Sequence, residues 1–381
     1  MDAFSAISGF VGGGLGYLLP FVLVLGVVVF VHESGHFWVG RLFGTRIEAF
    51  SIGFGRAIAR WKDRHGTEWK VGWLPLGGYV KFWGDEDATS LPNKDRLEKI
   101  AADPESAHSF HFKPLWQRAL IVAAGPFTNF VFAVIVFAAI YMTAGKDSIP
   151  PVVGQVLEGS AAEKAGLRPG DRIVSIDGRA VATFSDIVQL AYLSGGEPVP
   201  LEIIRDDQPL AVTIAPQRIE EVDRFGNKFA VYRLGVASLG KDSAVFERLG
   251  PVNALGAGAS QVYLIVEHTM TFLGRLITGR EDPRQLSGPL GIAKTSGEVA
   301  TLGALALIQL MAVLSVSVGL LNLFPIPMLD GGHLLYYGIE AVRRRPLGDQ
   351  AQEYGLRIGL ALVLSLMLFA TWNDVMRIFW S

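Results

Sequence analysis

Val27-Val28-Val29-Phe30-Val31-His32-Glu33-Ser34-Gly35-His36-Phe37-Trp38 is the stretch on which the reading of the chain turns. It sets an H-E-x-x-H pattern inside a hydrophobic run that begins near Leu18. In an α-helix, residues four apart share a face, so the imidazoles of His32 and His36 can reach one zinc ion. Glu33 lies about 100° round the helix from His32, close enough to take a proton from a water at that metal. A charged or polar side chain at the centre of a membrane helix costs roughly 2.5–3.5 kcal/mol, so the pattern in an apolar run points to use. The competing reading is a His/Glu cluster at a helix end that faces water.

Half of the 381 residues are hydrophobic and the mean hydropathy is positive, more apolar than an ordinary soluble protein. The length allows several membrane spans and one or two modest aqueous domains. A net charge of -2 gives no basis for a nucleic-acid partner. There is no cysteine, so disulfides and thiolate ligands are excluded and any zinc must be held by His and carboxylate. The first residues lack a basic n-region, so Leu18 to Gly40 reads as a retained span and not a cleaved signal peptide.

Working outward, that span is long enough to cross a bilayer. Arg41 and Arg46 follow it and put the H-E-x-x-H end near the cytoplasmic side. Similar runs at about Trp116–Thr143, Leu305–Phe324 and Leu356–Met376 make four spans. Between the first two, residues 46–83 change to strand patterning, with an apolar segment Leu74–Phe82 around Gly77-Gly78. An exposed edge at Gly77, Gly78 and Tyr79 could pair with an extended substrate by β-addition; a small sheet sealing the membrane face is the equal alternative. His108 and His111, in the polar stretch after it, are spaced wrongly for one helix face and read as loop residues. Within the second span, Gly125-Pro126-Phe127-Thr128-Asn129 requires a neighbouring helix to re-satisfy its backbone. Asn129 is then either support for the active site or interhelical glue.

From Pro150 the pattern changes to short strands and helices, with Ser160 and Glu163 as a capping box and Asp177-Gly178 as a hairpin turn. Gly159-Ser-Ala-Ala-Glu-Lys-Ala-Gly-Leu-Arg-Pro-Gly-Asp-Arg-Ile-Val-Ser-Ile-Asp-Gly178 resembles the PDZ domains of membrane and periplasmic proteases. The resemblance implies a groove where a peptide adds as a strand. The expected organisation is an N-terminal membrane part over 1–145 and a PDZ domain over 150–217. Connecting strands and an amphipathic helix over 218–300 and a C-terminal membrane part over 301–381 complete it. Ser287–Ile292 is expected to lead straight into the third span. The fold class is thus a polytopic α-helical membrane protein with four transmembrane helices, a membrane-associated β-hairpin or sheet and an inserted extracytoplasmic PDZ domain. The basic loops after spans one and three share one side, which leaves the PDZ region on the other.

A catalytic zinc needs a third protein ligand and an open fourth position. Asp330 is the candidate, in Asn322-Leu-Phe-Pro-Ile-Pro-Met-Leu-Asp-Gly-Gly-His333. Pro325 and Pro327 break the helix at the membrane boundary, and Gly331-Gly332 lets the chain turn closely past a metal. Two alternatives stand beside it: Asp330 merely caps the following helix, or His333 is the ligand. His268 lies beyond the PDZ-like insertion and is not read as a ligand.

Taken together these motifs, with Gly288-Pro289-Leu290-Gly291-Ile292, resemble the site-2 proteases of the bacterial RseP type, the regulator-of-sigma-E proteases, over nearly the whole chain. The resemblance implies an intramembrane zinc protease with zinc on His32, His36 and Asp330 and Glu33 as general base. It implies that Asn322 helps hold the substrate or steadies the oxyanion, with Gly77, Gly78 and Tyr79 binding substrate and Asn129 and Pro325 in support. It also implies a membrane-anchored single-span protein as substrate, such as an anti-sigma factor or signal-peptide remnant. A peptide or substrate segment at the PDZ groove, a bacterial inner-membrane location, a periplasmic PDZ domain and a zinc site towards the cytoplasm follow. Well-known enterobacterial members carry two PDZ domains; residues 215–251 show no second Gly-Asp turn, so one is expected here. The competing function is a PDZ-bearing membrane scaffold with a vestigial metal site, and a metal transporter would spread its polar ligands over several spans.

Overall fold

The computed structural model describes residues 3–85, 94–222, 228–240, 245–345 and 347–380. In chain order its elements begin with α1 (Ala3–Leu42), β1 (Ile47–Lys62), β2 (Glu68–Phe82), α2 (Lys94–Ala101) and α3 (Leu115–Thr143). Next come β3 (Lys146–Ser148), β4 (Gln155–Val156), α4 (Ala161–Lys164), β5 (Arg172–Ile176), β6 (Arg179–Ala180) and α5 (Phe184–Ser194). They continue with β7 (Val199–Arg205), β8 (Gln208–Ile214), β9 (Gln217–Val222), β10 (Lys228–Arg233), β11 (Val236–Ala237) and β12 (Val245–Glu247). Helices α6 (Pro251–Ile277), α7 (Pro289–Ala300), α8 (Ala304–Asn322), α9 (Asp330–Arg343) and α10 (Asp349–Trp380) follow. They form two compact units, Met1–Phe137 with Gly258–Thr269 and Thr278–Ser381, and Ala138–Ala257 with Met270–Ile277.

In the first unit, among the described residues, four helical segments are long and apolar enough to cross a membrane: Gly16–Leu42, Leu115–Thr143, Ala304–Asn322 and Gln350–Arg377. They agree with the four expected runs to within a few residues, because hydropathy marks the apolar centre while helical hydrogen bonding continues past it. The helix α1 also runs back through the Gly-rich start of the chain. One face of α1 is anchored to the sheet by aromatic edges: Phe37 is fully buried, its ring centroid 5.3 Å from Phe50 and 5.2 Å from Trp69. At its C-terminal end Arg41 lies over the Phe37 ring at 4.3 Å and pairs with Asp63 in the β1–β2 turn.

The hairpin is bent double. Gly53 and Gly55, at φ 85° and 82°, kink β1 where an L side chain would be strained. Beyond the kink Ala57–Lys62 pairs with Gly72–Glu68. Before it the strand is bracketed, with Ser51 opposite Tyr79 on one edge and opposite Lys70 on the other. The Gly78–Phe82 half of β2 pairs on one edge only, among the described strands. Residues 86–93 of the polar stretch that follows lie outside the described residues; α2 and two turns of 3-10 helix make up the rest of it.

Ser287–Ile292 does not run straight into the third apolar helix. It opens the separate helix α7, and a turn with Gly303 at φ 105° precedes α8. The cause is a tertiary contact: the Gly291 N–H donates to the buried Asp374 carboxylate of α10 at 2.8 Å and fixes the start of α7 there.

The second unit holds an antiparallel sheet of order β6-β5-β7-β8, whose inward residues Ile173, Ile176, Leu201 and Ile203 pack with Val153 and with Ile187 of α5. Thr183 and Asp186 form a capping box at the start of α5, and Gly195 at φ 65° ends it. At α4 the expected box is half made. Ser160 Oγ accepts the Glu163 N–H at 3.2 Å, while the Glu163 carboxylate takes the Gly159 N–H at 2.6 Å. The same core continues past residue 217: β11 pairs with β4, Val236 opposite Val156, and Leu234 is 3% exposed within the core. A cleft of 390 Å³ opens between α5 and this later segment, lined by Phe184, Ile187, Ala191, Ile219, Leu234 and Val236.

Candidate active site

The tight packing of α1 on α3 sets the two imidazoles. Gly35 lies so close to the Ala124 carbonyl and the Thr128 hydroxyl that a Cβ would overlap them. Gly125 in turn faces His32 and His36, and a Cβ there would run into both rings. Small residues at the crossing let the helices approach until α3 itself orients the imidazoles. The His36 Nδ1–H donates to the Ile121 carbonyl at 2.9 Å. Its Nε2 is thereby left as the lone-pair atom, 3.4 Å from His32 Nε2. His32 Nδ1 meets the fully buried side chain of Asn129 at 3.1 Å, and the Asn129 carbonyl accepts from Ser315 of α8 at 3.1 Å.

Asp330 completes the group from the far end of the sequence. After α8 the chain turns through Pro325 and Pro327, with the Leu329 N–H on the Ile326 carbonyl at 3.0 Å. Met328 in that turn has φ 94°, a left-handed value that costs a non-glycine residue roughly 1–3 kcal/mol. Gly331 and Gly332 press against the backbone of Leu323, Phe324 and Ile326, where a Cβ would not fit. Asp330 is the first residue of α9 and caps nothing; Leu329 precedes it with no side-chain cap. Its Oδ2 sits 3.2 Å from His32 Nε2 and 3.5 Å from His36 Nε2, buried and without a hydrogen bond. Burial alone would raise this carboxyl, but the two imidazoles outweigh it and hold the group well below the usual carboxylate range.

Three ligand-type atoms thus converge within 4.8 Å of one another. A tetrahedral zinc with bonds of about 2.0–2.1 Å holds its ligand atoms about 3.3 Å apart, which the three separations match. The orphaned Asp330 oxygen and the facing lone pairs are what a cation would satisfy. His32, His36 and Asp330 fit zinc.

All three, with Glu33, line one cavity of 710 Å³. The structure brings Gly77, Gly78, Tyr79 and Asn322 to the same cavity; a Cβ on Gly78 would fall 3.0 Å from Glu33 Cγ. Pro327, and not Pro325, is in the wall, while Asn129 acts from behind His32. His333 also faces the cavity, its basicity reduced first of all by burial.

Several residues of this wall escape a reading of the sequence. His111 is no bystander in a loop: its Nε2 meets the buried carboxylate of Asp85 at 2.7 Å, and its ring lines the cavity. Arg118 pairs with Glu340 at 2.7 Å and lies over the Tyr337 ring at 5.0 Å. Burial pushes the Tyr337 hydroxyl well above its ordinary range. The one available signal was Arg118 itself, a charge at the mouth of an apolar run.

Comparison with known proteins agrees with this geometry. Peptidase family M50 matches residues 20–366. A relative in Rhizobium meliloti is 47% identical over 368 residues, covering 96% of this chain and 98% of its own. One in Agrobacterium fabrum is 45% identical over 377 residues, 98% of this chain and 99% of its own; both carry provisional names as zinc metalloproteases. The metalloprotease MmpA of Caulobacter vibrioides is 41% identical, with 96% of each chain covered. A solved PDZ domain from Listeria monocytogenes aligns with 25% of this chain and 90% of itself at 20% identity, but its TM-score of 0.19 is too low to bear on the fold. With a family match over residues 20–366, relatives named as zinc metalloproteases and three ligand-type atoms spaced as zinc requires, the chain belongs to peptidase family M50 and is a zinc metalloprotease.

Proposed function

We propose that this metalloprotease works within the bilayer, cutting a membrane-anchored single-span protein in or near its transmembrane helix. The observation that carries the reading is the position of the ligand set. His32, Glu33 and His36 lie inside a helix apolar enough to cross a membrane, and their cavity is walled by other helices of that kind.

His32, His36 and Asp330 would hold the zinc, which would supply Lewis acidity for activating a water near neutral pH and for the scissile carbonyl. Glu33, 9% exposed and facing the cavity, accepts the proton of the attacking water and returns it to the leaving amine. A helical amide is hydrogen-bonded and hidden, so the substrate must unwind locally. The open edge of β2 at Gly78 to Lys81, beside Glu33, holds the unwound segment by strand pairing, with Tyr79 and Asn322 against it. The second unit serves as a PDZ-type docking domain whose cleft takes a peptide or a segment of the substrate. The residues after the first and third spans carry Arg41, Arg46, Arg343, Arg344 and Arg345, which orient the zinc site to the cytoplasmic side of a bacterial inner membrane and the second unit to the periplasm. Anti-sigma factors and signal-peptide remnants are substrates of this form.

The test uses wild type and Glu33→Gln, purified in detergent, with cleavage of a single-span substrate and bound zinc read on the same samples. Cleavage by the wild type alone, with zinc in both, supports the reading. Cleavage by neither, with zinc absent from both, points to a scaffold with a vestigial metal site. Because the chain has no cysteine, single introduced cysteines report orientation by thiol labelling without background.

A further inference from the structure

The zinc-protease reading gives Glu33 a proton to accept, and beyond Asn322 it names no protein donor for the substrate's carbonyl oxygen. Two imidazoles line the cavity outside the ligand set, His111 and His333. His111 is committed to Asp85 at 2.7 Å. The ring of His333 hydrogen-bonds to nothing among the described residues, although it is largely buried and turned into the cavity.

Its position is defined by the helix that carries Asp330. Residues three apart on a helix are neighbours on one face, about 5–6 Å between Cβ atoms, so His333 lies one turn along α9 beside the ligand carboxylate. The backbone there cannot drift, because the His333 and Gly332 amides both donate to the Leu329 carbonyl and the two glycines are pressed on the preceding turn. Glu33 stands on α1 and His333 on α9, and both line the cavity that holds Asp330 and the two candidate ligand imidazoles. Addition of water to a peptide uses two such groups, an acceptor for the proton of the entering water and a donor for the oxygen that gains charge. A neutral imidazole carries one N–H in either tautomer, so the role requires no change of protonation.

We propose that His333 is a further catalytic residue, donating an N–H hydrogen bond to the oxygen of the scissile peptide as negative charge builds on it. Asn322, on the same cavity and likewise without a partner among the described residues, is its neighbour in that task. The proposal rests on the reading above, and wild-type cleavage is the control that separates the two: if the wild type does not cut, the function fails and not the role of His333.

The experiment compares wild type, His333→Leu and His333→Gln as full-length chains. Each is assayed for bound zinc, for kcat and KM on a single-span substrate, and for substrate affinity in a Glu33→Gln background. Removing one such donor lowers kcat by about 10²–10³-fold. The expected result for His333→Leu is that loss, with zinc stoichiometric and KM and substrate affinity close to wild type. His333→Gln, which keeps an N–H, recovers part of the rate. Loss of zinc in both variants would make His333 a ligand or a structural residue and overturn the proposal. So would an unchanged kcat, or a loss confined to substrate affinity.

Discussion

The side chain of Asn129 sits 3.1 Å behind His32, at the ring nitrogen that does not face Asp330. As the amide is turned, Nδ2 approaches His32 Nδ1 and Oδ1 is buried without a partner. Rotating the amide answers both needs, with the Nδ1–H of His32 donating to Oδ1 and the lone pair left on Nε2. Asn129 is therefore expected to hold the tautomer that binds metal. Asn129→Ala should weaken zinc by about 10–100-fold, read by competition with a chromogenic chelator, and an unchanged affinity would reduce Asn129 to packing.

Glycine to alanine inside a helix ordinarily gains up to about 1 kcal/mol. At Gly125 the sign reverses, because the added carbon meets the His32 and His36 rings. Gly125→Ala is expected to fold with its helices intact by circular dichroism, yet to lose most of its bound zinc. Retention of stoichiometric zinc and full activity would show that the imidazoles can move aside.

Metal and fold are linked through Asp330. A ligand that binds only the folded chain stabilises it by about 2.7 kcal/mol at a hundredfold excess over Kd. Zinc added to metal-stripped wild type should raise the thermal transition measurably, and the same addition to Asp330→Ala should not. An equal shift in both would place the binding site elsewhere.

The hairpin turn carries its own pH dependence. Burial alone would raise the Asp63 carboxyl, but hydrogen bonds from the Trp69 indole, Arg41 and the His65 and Thr67 amides hold it at about 2, down from 3.8. A carboxylate depressed on folding adds stability above its unfolded value and loses it as the pH falls towards the folded one. The gap in melting temperature between wild type and Asp63→Asn should be full at pH 6 and narrow steadily between pH 5 and 2. A gap that does not change over that range would deny the carboxylate its role.

What the sequence disclosed is what a single helix or turn encodes. His32, Glu33 and His36 were legible because one helical period puts them together, and Asp330 because two prolines and two glycines announce a forced turn. The partner of Asn129 was not legible, since an interhelical contact leaves no local period. His111 looked like a loop residue because its spacing to His108 says nothing about Asp85, which reaches it across the fold. The bracketed strand Ala49–Ile52 was hidden for the same reason, and so was the helix α7, which depends on Asp374 far along the chain. Met328 at φ 94° carries no sequence signal at all.

The three candidate zinc ligands are divided between the first helix and the last third of the chain, and that division has a consequence in time. Synthesis proceeds from the N-terminus, and domains fold as they emerge. His32 and His36 are therefore made and inserted long before the ribosome reaches Asp330. Through most of its own manufacture the nascent protein holds two candidate ligands of three. The set is complete only once α9 has been made, and α10, whose Leu356 and Val363 also line the cavity, is made later still, so the site closes only as the last apolar helix arrives.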